Sequence, residues 1–554
     1  MFKSLLFTCF AVLSSWSLTA QEWTFAQSVG DSSGQTAIHS INKYDNEHIL
    51  IAGAFSARTL KLGSFELVNS GQSDAFVALL NKQGEYLWAT RIGGSGEDIA
   101  RAAVADDAGN IFVAGSFKSL SISVGTFNLI NQGDWDGFII RFNPDKSVAY
   151  ANRTGAQFKD DVLDLKIGKE GHLYAAGQSV NNLFTPSERV YIMKYNRSGV
   201  LIWQRTGTNT VASLEATSLA LDADDNSYLV GGFSGRLGFE GGISLNSSSG
   251  SSGFLVKYNA NGSFVQAVAD NKVDRFNDIT LSSTGIAVCG EKKQYGIGWG
   301  WPLSDSKIYV TAFNPQLSKL WEKTAGGLLP LQSLDLATAI TTDPSGNIYV
   351  CGKFQGRVIP FAGDSIFNVL NKDYFYEQGF LLRYSASGQE LFGTSIGAEL
   401  NDGGTALLAL SPTEVWMGGQ FESEKLELGE FDFYNQGSLR EVYVHLRPPR
   451  FSRNAIAFLA RLSTLPSGTR PDVAILPSKV FPNPAIHQLH IELEESQESV
   501  QLDIISSQGQ TVWSHQSTVQ DSRISVDIQT LPPGGYWLWL RSGDRVAVHK
   551  WIKL

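Results

Sequence analysis

Short apolar runs alternate with Gly/Asn/Asp turns along most of the chain, and one pattern among them recurs. At Asp106 to Phe117, DDAGNIFVAGSF, a polar turn leads into a β-branched and aromatic run that ends on Gly115-Ser116-Phe117. Matching runs end on Gly53, Gly177, Gly231, Gly290, Gly352 and Gly419. A recurrence every ~60 residues marks a repeat architecture.

Each unit holds four apolar stretches. In one copy they are Ile99 to Ala105, Ile111 to Phe117, Gly137 to Phe142 and Val148 to Ala151. Four short strands per unit, joined by tight turns, predict an all-β fold, a seven-bladed β-propeller. The seventh unit stops after its third stretch, Ala455 to Ser463. The missing fourth stands at the other end of the chain, in Trp23 to Gly30. The propeller is therefore expected to be closed by the N-terminal strand, which removes an open sheet edge. The first stretch is richest in small residues (Ala100, Ala102, Ala103, Ala105) and is placed innermost. Long second-to-third links and fourth-to-first links then share one face, where binding is expected.

The wording D-x-x-G-N-hydrophobic-V-x-G-x-F and L-W-x-x-x-x-G-G-S-G-x-D, clearest at 74–117, resembles the SBBP-type seven-bladed propeller family. That resemblance covers nearly all of Glu22 to Ser463 and implies architecture more than chemistry. Beyond it the pattern stops. Residues 464–478, TLPSGTRPDVAILPS, read as a linker. Residues 479–554 read as a small β-sandwich, with alternation at Val500-Leu502-Ile504 and Ile524-Val526-Ile528. Four motifs follow in order: FPNPA at 481–485, VQLDIISSQGQTVW at 500–513, LPPGGYWLWL at 531–540 and the terminal KWIKL. Together they resemble a type A C-terminal sorting domain of the type IX secretion system in Bacteroidetes. The resemblance implies sorting-motif roles for Pro482, Asn483, Pro484, Gly509, Gly535, Tyr536 and Lys550. It also implies the type IX machinery as partner and a secreted or outer-membrane surface location.

Composition adjusts this picture in three places. Residues 1–20 carry Lys3, an apolar run from Leu5 to Leu13 and small residues to Ala20, the plan of a secretory signal peptide. No later run is long enough to span a membrane, so no transmembrane segment is expected after cleavage. The net charge of −10 argues against nucleic acid as a partner. Cys289 and Cys351 hold equivalent positions in two repeats, too far apart for a disulfide, and are expected to be small buried thiols.

Candidate chemistry is sparse, and no catalytic residue is assigned. Gly30-Asp31-Ser32-Ser33-Gly34 fits a serine-hydrolase elbow in letters but lacks the following helix. Gly93 to Asp98 resembles one calcium-binding nonapeptide turn, without the tandem copies such sites need. The histidines show no close metal-ligand spacing, so no cofactor or zinc site is assigned. Asp98, Asp161, Glu215, Asp278, Asp335 and Asp402 recur at the start of the first strand. They are expected to ring the mouth of the central channel, either capping backbone N–H groups or attracting Ca²⁺. Tyr295, Trp299 and Trp301, in the insertion Glu291 to Ser306, are an aromatic platform candidate for a sugar or peptide. Arg447 and Arg450 sit in the comparable insertion of the last unit. The chain reads as a non-enzymatic propeller presenting its long-loop face to a glycan or a surface protein. The alternative is an extracellular enzyme acting on polysaccharide through carboxylates on that face.

Overall fold

The computed structural model describes residues 21–553 apart from 156, 181–187, 210–212, 283–284, 299–300, 327–333, 357, 369–375, 443–449, 465–473, 476–477, 484, 494–498, 507–510, 519–522 and 543–544. The expected signal peptide and most of the expected linker lie outside the described residues. The described chain is nearly all β-strand, with two short 3-10 turns. It divides into two compact units, Gln21–Thr464 and Leu465–Leu554.

The larger unit contains seven antiparallel groups of four strands. The second, for example, is Asp98–Ala105, Ile111–Phe117, Asp136–Phe142 and Val148–Thr154, in that spatial order. The third and fourth groups join through the pair Thr208↔Gly238 into one curled eight-stranded sheet. The seventh is assembled from both ends of the unit. Its strands Asp402–Ser411, Glu414–Phe421 and Ile456–Thr464 are completed by Gln21–Val29, which pairs antiparallel to Ile456–Thr464. Successive first strands contact one another, and Asp402–Ser411 in turn contacts Thr36–Lys43 of the first group. Thr405 Oγ1 donates to the Ile38 carbonyl at 2.6 Å across that last junction.

The second strands are buried over most of their length, and Ile111–Phe117 over all of it, because they are covered on both faces by neighbouring sheets. Cys289 and Cys351 lie in this layer as buried free thiols. Burial pushes the Cys351 thiol up to about 12.

The second-to-third links are more ordered than their variable lengths suggest. Four of them fold as short hairpins, such as Thr59–Leu62 with Phe65–Val68 and Lys425–Leu428 with Phe431–Tyr434. Alternate residues Leu60, Leu62 and Leu67 are buried in the core, and the hairpin lies against the fourth strand Tyr86–Ile92. An outermost strand would otherwise present an open edge, so the hairpin is cover. Its sequence signal is the alternation L-x-L-G-x-F at 60–65 and 426–431.

The smaller unit packs a five-stranded sheet against a three-stranded one. Leu489, Ile491, Val500, Leu502, Ile504, Val526, Leu538, Leu540 and Trp551 form the core between them.

Candidate functional site

All seven first strands share one irregularity. Each slips register against its second strand at an equivalent bulged residue, His39, Arg101, Leu163, Thr217, Asn277, Thr338 or Thr405, and the seventh slips once more between Ala409 and Ser411. The recurring glycine explains where. A Cβ on Gly53, Gly115, Gly177, Gly231, Gly290, Gly352 or Gly419 would fall 1.8–2.4 Å from the carbonyl oxygen two residues before the bulge. The bulge brings that backbone so close that only glycine fits opposite it.

A bulge leaves backbone groups without ladder partners, and the side chains around it supply them. Thr217 Oγ1 donates to Phe276 O, Asn277 Nδ2 to Ala337 O and Thr338 Oγ1 to Gly404 O, at 2.6–2.8 Å. Each bond joins one first strand to the next. The residue after the bulge does the converse. Asp164 accepts from Leu219 N–H at 2.9 Å and Asp278 from Ile340 N–H at 2.8 Å.

Bulged residues and those two positions earlier lie on one side of their strands. Across six first strands they line a single cavity of about 440 Å³. His39, Arg101, Leu163, Thr217, Asn277 and Thr338 contribute the bulged side chains. Asp161, Glu215, Arg275 and Leu336 contribute the earlier ones, joined by Lys159 and Gln178. Asp161 pairs with Lys159 at 3.0 Å, and Glu215 with Arg275 at 2.7 Å. Arg101 has no such partner among the described residues, and its Nε is buried without a hydrogen bond. Burial, with the Arg101 charge adding to it, drives the His39 imidazole down to about 3, so it is neutral.

The six carboxylates singled out in the sequence therefore do not form one ring. Asp98, Asp335 and Asp402 are buried at the starts of their first strands, bonded to the links. Asp98 accepts Gly94 N–H at 2.7 Å and Ser119 Oγ–H at 2.6 Å. Asp402 accepts Ala398 N–H and Ser423 Oγ–H at 2.7 and 2.6 Å, and Asp335 accepts Gln355 N–H at 3.0 Å. Asp161 and Glu215 stand one register position further in and face the cavity. Asp278 lies deeper still, directly after its bulge. Ser218 Oγ is 2.7 Å from Asp278 Oδ1 and 3.0 Å from Asp164 Oδ2. One hydroxyl proton cannot serve both contacts. Asp164 also holds Lys166 at 2.7 Å, and burial raises the Asp278 carboxyl to about 6.

Burial likewise raises Asp402 to about 6. A carboxyl whose folded value lies above its unfolded one favours the native state most when protonated, so stability falls as pH rises between about 4 and 6. For fully buried Asp402 the loss is ~3 kcal/mol, at ~1.4 kcal/mol per pH unit. Urea unfolding of the chain between pH 4 and 7 is expected to show this decline and then a plateau. A rise through the same window would contradict it.

The aromatic platform and the arginines fall largely outside the described residues. Trp299 and Arg447 lie outside altogether. The backbones of Tyr295 and Trp301 belong to a long hairpin, Gly285–Gly298 with Trp301–Phe313, and Arg450 pairs with Val442.

In the smaller unit the quoted motifs meet in space. Asn483 Oδ1 accepts the Ile552 N–H at 3.0 Å, and Ala485 N–H donates to Ile552 O at 2.8 Å. Tyr536 stacks on Trp551 with ring centroids 5.2 Å apart, and its hydroxyl donates to Pro532 O. Lys550 pairs through its backbone with Trp537, and Gly535 with Ile552. FPNPA and GGYWLWL thus hold the terminal KWIKL strand. Pro484 and Gly509 lie outside the described residues.

Residues 479–554 match the secretion system C-terminal sorting domain. The domain marks the chain for export by type IX secretion to the cell surface or the extracellular space, and the type IX machinery is its partner. Among the described residues no helix is long and apolar enough to cross a membrane. Elsewhere the likenesses are faint. The chain is 27% identical over 211 residues to regulatory protein FlaEY of Caulobacter vibrioides, a match covering 34% of this chain and 22% of that protein's length. Among solved structures, a protein of unknown function from Dyadobacter fermentans aligns over 80% of this chain and 99% of its own, at 9% identity and a TM-score of 0.36. The Neurospora crassa Pan2 WD40 domain aligns over 57% and 86%, at 11% identity and a TM-score of 0.30. A Synechocystis apocarotenoid oxygenase mutant aligns over 81% and 94%, at 8% identity and a TM-score of 0.37.

Proposed function

We propose that the Gln21–Thr464 unit is a closed seven-bladed propeller of the SBBP type, and that it serves outside the cell as a binding module. Secretory signal cleavage near Ala20 would precede type IX export. Seven four-stranded groups, first strands in unbroken contact and an N-terminal strand completing the last group support the propeller reading. Binding is carried by one observation. The first strands of six groups jointly line a polar, charged cavity at the end where those strands begin, beside the fourth-to-first links. A glycan or a surface protein is the partner that face would receive.

The second reading, an enzyme acting on polysaccharide, has Asp161 and Glu215 on the same lining in its favour. Each is engaged in an ion pair, Asp161 with Lys159 and Glu215 with Arg275. Exported chain applied to a glycan array, with reducing ends assayed on every captured glycan, separates the two. Capture without release is expected. Release of reducing ends would establish the enzyme, and an array without capture, repeated on the cell's own surface proteins, would remove the binding reading.

A further inference from the structure

Resting on the binding reading above, the geometry of the cavity points to its ligand class. The lining carries three cations, Arg101, Lys159 and Arg275, against two carboxylates, Asp161 and Glu215. Lys159 and Arg275 are spent on those carboxylates, at 3.0 and 2.7 Å. Arg275 also stands 3.8 Å from Glu291, just outside the lining, and Arg101 is the one lining cation without an ion pair among the described residues. Asp161, whose Oδ2 takes Lys159 and, at 3.3 Å, Gln178 Nε2, acts on Arg101 through its charge without an ion pair.

Two polar atoms of this lining are buried with no hydrogen-bond partner among the described residues: Arg101 Nε, a donor, and Gln178 Oε1, an acceptor. Leaving such groups unmet is costly, more so for the charged one. A ligand that supplies an anionic acceptor to the first and a hydroxyl donor to the second would recover that cost. A guanidinium fork matches a planar carboxylate through two parallel bonds. One guanidinium without an ion pair, with carboxylates nearby, suits a monoanion better than a phosphate dianion.

We propose that the cavity binds a uronic acid residue of an acidic glycan, its carboxylate on the Arg101 guanidinium and a ring hydroxyl on Gln178 Oε1. Neutral His39 offers one ring N–H and one ring acceptor to further hydroxyls. Leu163 and Leu336 supply apolar surface for the C–H face of the sugar. At about 440 Å³ the space suits one hexose-sized ring with part of a neighbour. The uronate arrives either as free monosaccharide or within a polymer, and both share this chemistry.

Calorimetric titration of the full chain with glucuronate, an oligogalacturonate and glucose tests it. Glucuronate is expected to bind and glucose not. Arg101→Gln is expected to weaken glucuronate at least ~10-fold, with Arg101→Lys intermediate and the urea midpoints of both variants close to the parent. Tighter binding of the oligomer would identify a polymer as the source, and equal binding the free acid. Glucose binding as well as glucuronate, or an unchanged affinity in Arg101→Gln, would overturn the proposal. Competition needs no variant: glycans captured on the array but not displaced by glucuronate would overturn the uronate site while leaving the binding face in place.

Discussion

Replacing Gly115 by alanine is expected to cost the Gln21–Thr464 unit on the order of 4 kcal/mol, more than most single substitutions. The added methyl would sit 1.9 Å from the Ile99 carbonyl oxygen and 3.0 Å from Ala100 Cα, both main-chain atoms. Neither can turn aside as a side chain could. Relief would need the Arg101 bulge to unwind, and that would change which residues of the strand reach the cavity. Gly238→Ala is the matched control, because its nearest neighbours stand 3.8 Å away on Thr208. It is expected to stay within about 0.5 kcal/mol of the parent. Urea midpoints for the two variants, measured side by side, decide the matter. Equal midpoints would mean that the close approach is not what fixes glycine there.

Deleting Gln21–Val29 is expected to be more damaging still. The strand runs the length of Ile456–Thr464, from Gln21↔Thr464 to Val29↔Ala457. Phe25 lies against the fully buried Trp416 with centroids 5.4 Å apart, and Val29 is buried beside Ile38 and Leu459. Without the strand, Ile456–Thr464 becomes an open edge with exposed apolar side chains, a template for association between chains. Loss of soluble monomer on size exclusion is expected, with the remaining protein destabilised by about 5 kcal/mol or more. A synthetic peptide of residues 21–29, added in excess, should restore part of the midpoint. Unchanged stability after deletion would show that the N-terminal strand is an accessory and not a member of the seventh sheet.

Much of this was legible in the sequence. The recurring glycine could be read because it is dictated by backbone crowding, which admits one residue type and so repeats without drift. The missing fourth strand could be found by counting, and Gln21–Val29 pairs where the count placed it. The terminal motifs were legible for a similar reason, since Asn483 and Tyr536 each have a specific partner near the chain's end. The carboxylates were not legible as a set. Asp161 stands one residue nearer its glycine than Asp98 does to Gly115, and one step along a strand turns a side chain to the other face. Asp160, beside it, holds the position equivalent to Asp98. The bulge itself was invisible, because an extra residue inside an alanine-rich strand leaves no mark in an apolar pattern. Nothing in the letter pattern therefore marks Arg101 or His39 as facing a cavity. The hairpins were hidden by the variable length of the links that contain them.

The pairing of Gln21 with Thr464 has a mechanical consequence for a protein carried outside the cell by its C-terminal domain. The two ends of the larger unit lie side by side at the same end of one antiparallel ladder. Tension applied between residue 21 and the domain beyond residue 464 would load the rungs one at a time, beginning with the outermost. Strands pulled in that way peel like a zip, at far lower force than strands sheared along their length. The weakest point of the unit under traction is therefore its seam.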